Sequence, residues 1–349
     1  MITDKTLDEA IAHGILTAEQ VARLRGLAET AQEQSEDSGE PIANPDDERF
    51  RLIGGFNDVF VTIGVILLVA AIFALASVVD FRPGFAVLAM ASAWGLSEYF
   101  SRRLRLALPS IALALMFAGA AGFAVLSLGG WLLQLGGAEG DVSWNRGVLL
   151  FGIGTTLAAV VHEHRFRVPV DWAIAAVGMT WAVWGALAIA LPDWANTAGV
   201  SILLGLAIFA VGLRVDASDP ARTTRRADIA FWLHLVAAPM IVHAVMPSLP
   251  GGDVDGLRAA FALLVFAALG LVAIVIDRRA LLVSGLLYAG VAIGYFLTSN
   301  VTERVGPALT LLCLAALVLG LSAGWRSLRR AIVPRLPLGR LSASIPPPT

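Results

Sequence analysis

Residues 59–79 read VFVTIGVILLVAAIFALASVV, twenty-one residues without a charge. A helix needs about 20 apolar residues to cross a hydrocarbon core roughly 30 Å thick, so this run is expected to span a membrane. Most of the chain beyond it has the same character. The chain is 57% hydrophobic and only 15% charged, with a mean hydropathy of +0.77, whereas soluble domains carry about 25% charged residues. Lipid offers no water to bond backbone groups, so spanning segments satisfy them internally. The expected fold is all-α: a polytopic membrane protein of about ten transmembrane helices, preceded by a short helical hairpin.

Nine further apolar runs lie near 84–100, 107–128, 147–162, 170–191, 196–213, 229–246, 257–276, 280–298 and 305–325. Together they make residues 57–325 a ten-span bundle. The segment GGWLLQLGG, 129–137, is too short to cross and is expected to lie in the interface. Both termini are expected in the cytoplasm. That placement puts twenty-one of the twenty-five basic residues inside and leaves only Arg82, Arg146, Arg258 and Arg304 outside, as the positive-inside rule asks. Trp131, Trp144 and Trp194 then fall at the outer interface, and Trp172 and Trp325 at the inner one. Three inner turns pair an acid with arginines: Glu98 with Arg102 and Arg103, Glu163 with Arg165 and Arg167, Asp277 with Arg278 and Arg279. Convergence explains this more simply than duplication. Gly290 and Gly294, like Gly320 and Gly324, are spaced to let neighbouring spans approach closely.

The N-terminus differs. Residues 1–56 hold twelve acids and five bases. Thr6–Glu9 and Thr17–Gln20 both fit the capping box, in which a hydroxyl and a Glu or Gln satisfy each other's backbone amides. Two helices, about 6–13 and 17–34, would form a cytosolic hairpin within residues 1–34. It is too small to bury a core alone and is expected to dock on the bundle, on a second copy or on a protein partner. Residues 35–56 read as an acidic, disordered linker, and residues 326–349 as a basic, Pro-rich cytosolic tail. The first fifty residues show no apolar signal-peptide core, so the first span is expected to act as the targeting signal. The bilayer itself is one partner, with anionic lipid expected at the basic inner loops and tail. No nucleic-acid partner is expected.

Ionisable residues inside spans are functional candidates because burying them is costly. Asp58, Asp171 and Asp228 stand at span starts and read as caps complementing the helix dipole. Glu98 lies one turn before Arg102, an ordinary helix-end pair. His162, Glu163 and His164 read as a solvated edge. Cys313 reads as packing. No metal-ligand spacing, phosphate loop or Ser/His/Asp array is visible, so no cofactor and no enzymatic activity are expected. The candidate intramembrane polar site is His234, Pro239 and His243. Pro239 frees a backbone carbonyl near His234. The two histidines, nine residues apart, face opposite ways at about 100° per residue. His234 is expected to be uncharged, turned to other helices rather than lipid, and held by one hydrogen bond.

The segment LDEAIAHGILTAEQVARLRGL, residues 7–27, leading into a polar linker and many spans, resembles the uncharacterised bacterial membrane proteins of the domain-of-unknown-function 2157 family. The resemblance implies a multi-pass protein of a bacterial inner membrane and no catalytic residues. Two function classes remain open: a non-catalytic membrane protein with a cytosolic interaction segment, and a ten-span carrier of small solutes.

Overall fold

The structure is a computed structural model; it describes residues 13, 16–23, 56–79, 82–135, 143–195, 198–245, 256–300, 305–337, 339, 345 and 346. The chain divides into two units, Met1–Arg49 and Phe50–Thr349. In the first unit, the described part holds one helical turn entered at Thr17. The Thr17 amide donates to Gln20 Oε1 at 2.9 Å, and the Gln20 amide donates to Thr17 Oγ1 at 3.3 Å. That is a reciprocal capping box. The first hairpin helix apart from His13, residues 24–34 of the second, and the 35–55 part of the linker lie outside the described residues.

The described residues of the second unit form helices joined by short turns, with no strand among them. Its long helices are α1 (Phe56–Val78), α2 (Arg82–Ser97), α3 (Ala107–Leu135), α4 (Trp144–Phe166) and α5 (Val170–Ala190), then α6 (Ala198–Ala217), α7 (Arg225–Val245), α8 (Gly256–Ile276), α9 (Ala280–Asn300) and α10 (Gly306–Ile332). Nine of them are long and apolar enough to cross a bilayer; α2, at 16 residues, is the exception. It runs without a break into a π turn, Glu98–Arg103.

Most of these helices pack chiefly on a sequence neighbour; α1 lies mainly against α3, and α7 also touches α5 and α9. Buried side chains form one core from α1 to α5, around Leu113, Phe117 and Phe166, and a second from α7 to α10, around Leu281 and Trp325. Large apolar side chains such as Phe60, Leu67, Leu203, Leu311 and Leu319 face outward. Apolar exposure along entire helices is what a lipid-facing surface requires and what a water-facing one avoids.

The tightest seam lies between α4 and α5. A Cβ on Gly152 would stand 2.4 Å from the Ala182 amide nitrogen, and one on Gly185 would stand 2.5 Å from that of Leu149. Only glycine lets these backbones touch. The glycines singled out by spacing divide: a Cβ on Gly290 would stand 3.0 Å from the Leu314 side chain of α10, Gly294 has ordinary van der Waals room, and around Gly320 and Gly324 nothing lies within 4 Å. Other expectations also need correcting. α3 continues through Gly129 and Gly130 to Leu135, so this stretch extends a span instead of lying flat. α10 runs past residue 325 to Ile332, and a 3-10 turn, Val333–Arg335, follows. The tail therefore begins as folded chain. Cys313 is exposed on the apolar outside, and Trp325 is buried rather than set in an interfacial belt.

Candidate functional site

Polar chemistry gathers at the end where α2, α4, α6 and α8 finish and α3, α5, α7 and α9 begin. Among the described residues, four other than glycine adopt positive φ, and each sits in one of these turns: Arg105, Arg167, Arg222 and Asp277. The turns close differently. The Arg167 amide bonds the Glu163 carbonyl, whereas the Arg278 amide bonds that of Ala273 and the Leu106 amide that of Phe100.

Two buried clusters stand at this end. The first belongs to α2, α4 and α5. His162, in the last turn of α4, places Nδ1 2.8 Å from Asp171 Oδ2 in the first turn of α5. Its Nε2 lies 3.2 Å from Ser97 Oγ, the residue that leads into the π turn. All three side chains are fully buried, at 0% exposure. Phe117 and Phe166 pack on the imidazole, and Trp94 packs on both of those rings. Around this core, Glu98 bonds Arg165 at 2.7 Å and Arg102 at 3.1 Å. Arg225 of α7 pairs with Glu163 and donates to the Arg167 carbonyl, stitching α7 to the α4–α5 turn.

Hydroxyl, imidazole and carboxylate here follow the order of a nucleophile, its base and the group that orients the base. The surroundings do not serve that chemistry, because the hydroxyl is sealed from solvent behind aromatic rings. Asp171 Oδ1 and Ser101 Oγ, also buried, have no hydrogen-bond partner among the described residues. The solvated edge expected at His162 is thus a buried polar lock. Asp171 is its anchor as well as a first-turn acid. His164, Arg165 and Arg167 beside it are exposed, and Glu163 is half-buried.

The second cluster joins α6 to α10. Asp216, near the end of α6, is gripped by two nitrogens of Arg278, Nε at 3.0 Å from Oδ2 and Nη2 at Oδ1. Asp277 accepts from Arg222 at 2.9 Å and from Trp325 Nε1 at 2.6 Å, and Arg329 lies 3.4 Å away. Arg329 also donates to the Ile274 carbonyl and, at 2.8 Å, to that of Pro346, tying a point of the tail to the bundle. Between α6 and α7, Asp219 takes bonds from the Thr224 hydroxyl and from the amides of Thr223 and Thr224. Burial pushes its carboxyl up, but these bonds and Arg226 outweigh it and hold the group below the usual range.

The candidates read from sequence fall here in part. His234 is fully buried and turned to α6, with Phe209 at 5.0 Å between ring centroids. Gly212 makes room for it: a Cβ there would lie 2.9 Å from the ring's Cε1. Neither ring nitrogen has a hydrogen-bond partner among the described residues, and Asp216 Oδ2 stands 4.0 Å from Nε2. The single hydrogen bond expected at His234 is therefore absent there. His243 is not brought to His234. It is exposed, bonds the Pro239 carbonyl at 3.0 Å and packs edge-on to Tyr288 of α9. α7 passes through Pro239 as one helix.

Comparison of the chain with family models, with curated proteins and with solved structures finds no match. The resemblance of residues 7–27 to the domain-of-unknown-function 2157 family rests on those residues alone.

Proposed function

We propose that this chain is a ten-span protein of a bacterial inner membrane, with its arginine-rich end and both termini in the cytoplasm, and that it works by association rather than catalysis. The tenth span in this reading is α2 with its π turn, 22 residues in all, 16 of them α and six π. The N-terminal hairpin is the interaction segment. The observation that carries the reading is the character of the polar clusters. The Ser97–His162–Asp171 array is sealed, and the charged groups beside it are spent on one another across helices. Such pairs fix how helices meet instead of presenting a group to a substrate.

Reporter fusions after Gly252 and after Arg279 should read periplasmic and cytoplasmic; the reverse defeats the topology. A fluorophosphonate probe applied to the protein in bilayers should leave Ser97 unlabelled. Labelling lost in His162→Phe would make the chain a serine hydrolase.

A second reading, a carrier of small solutes, is favoured by His234, a buried ring with both nitrogens unpaired among the described residues. Stabilisation of the purified protein by one member of a metabolite panel would support it. No shift across the panel would favour the first reading.

A further inference from the structure

A buried polar ring without a partner is unstable unless something binds it, since desolvating one orphan group costs about 1–3 kcal/mol. His234 is such a ring, and its setting selects what binds. Phe209 lies against one part of it and the backbone of Gly212 against another. The carboxylate beside it is that of Asp216, with Oδ2 at 4.0 Å from Nε2. That separation is too long for a hydrogen bond and short enough for a strong charge attraction.

We infer that His234 and Asp216 form a proton-binding site, in which a proton taken by the imidazole draws Asp216 away from Arg278 and loosens the tie between the α6–α7 and α8–α9 hairpins. The step is a single proton uptake. Bulk water at the arginine-rich end supplies the proton, the ring gains it, and no covalent bond beyond the new N–H forms or breaks. Neutral imidazole offers Asp216 one weak donor, whereas imidazolium offers two donors and a full charge. Arg278 is then in competition for the carboxylate that it grips in this structure.

The other charges that act on the ring are Arg278, from the α8–α9 turn, and Arg222, from the α6–α7 turn. α5 and α9, which also pack on α7, bring no charged side chain into salt-bridge range of His234 among the described residues. Asp216 is thus the acid beside it among those residues, and its pairing decides the outcome. The site goes beyond either functional reading, since proton uptake here needs no solute.

The test is ¹⁵N spectroscopy of the full chain in lipid bilayers, labelled in histidine and arginine, with His234→Gln used to assign the ring. As the pH falls from about 8 to about 3, a span wide enough for a ring whose charged form burial opposes, the two ring nitrogens of His234 should become equivalent. Over the same range, exchange at Arg278 Nε should speed up roughly tenfold as its bond to Asp216 is lost. In Asp216→Asn the ring should stay neutral throughout. If that variant does not fold, the wild-type titration decides alone. A His234 ring that never charges, or an Arg278 signal that ignores its charging, overturns the site. So does a ring that charges equally well in Asp216→Asn.

Discussion

His162 and His234 are buried to the same degree, at 0% exposure, and they live differently. His162 has both nitrogens engaged, one by Asp171 and one by Ser97. His234 has neither engaged among the described residues, although a carboxylate stands 4.0 Å away. The difference lies in what else claims the acid. Asp171 has no arginine bonded to it among the described residues, so its carboxylate is available to the imidazole. Asp216 is already held at both oxygens by Arg278. A buried acid therefore secures a histidine only where no stronger donor competes, because an arginine offers a bidentate charged fork that a neutral imidazole cannot match.

The seam beneath the first histidine offers the most severe way to break the comparison. α4 and α5 carry His162 and Asp171, and they meet where a Cβ on Gly152 would stand 2.4 Å from a backbone nitrogen. Backbone cannot swing aside as a side chain does. Gly152→Leu should cost about 3 kcal/mol or more, the upper range for overpacking, and should abolish the folded state in thermal or detergent unfolding. Gly320→Leu, placed where nothing lies within 4 Å, should be close to neutral. Equal losses at both would mean that α4 and α5 are not in backbone contact.

Asp171→Ala comes next. It strips His162 of its acceptor and leaves a buried nitrogen unpaired, which costs about 1–3 kcal/mol. Combined with His162→Phe, the loss should fall short of the sum by about 0.5–3 kcal/mol, the range for residues in contact. Additive losses would mean that the bond contributes nothing. His234→Phe is the matching change in the second region. No hydrogen bond is lost there and a ring of similar size replaces a ring, so the change should stay below about 1 kcal/mol. A loss as large as at Asp171 would show that His234 does hold a partner and would erase the contrast.

The two histidines also mark how far the sequence could be read. Long apolar runs announced the helices, since a charge-free run of about 20 residues has few other fates. Their ends were harder. The π turn after Ser97 carries no side-chain signature, and Arg105, Arg167, Arg222 and Asp277 take a backbone conformation usually left to glycine. The close seam had a signal that spacing of four overlooked: Gly178 and Gly185 are seven apart, two turns on one face of α5. His162 had one too, an acid nine residues on across a short turn, which places the last turn of one helix beside the first turn of the next. Ser97 had none. Nothing in residues 225–245 alone reveals that Arg278, arriving from a distant turn, takes the acid His234 would have used.

The smallest effect belongs to Asp219, in the turn between the two helices of the second histidine. Its carboxylate accepts the amides of Thr223 and Thr224 and the Thr224 hydroxyl, and its folded pKa lies below the usual carboxylate value. A group of this kind binds its proton more weakly when folded than when unfolded. Its contribution to stability is therefore fully present above the unfolded value, about 3.9, and disappears as the pH falls through the lower folded one. Asp219→Asn should be slightly less stable than the wild type at neutral pH, and the two should begin to converge below about pH 4, meeting once the pH has passed the lower folded value. Proton uptake at the buried His234 ring would also fall on the acid side, so variants rather than the pH axis separate the two acid responses of this region. Loosening of the α6–α7 turn on acidification that persists in Asp219→Asn and vanishes in His234→Phe would assign it to the ring. The opposite pattern would assign it to the turn, and the second histidine would then be as inert as the first.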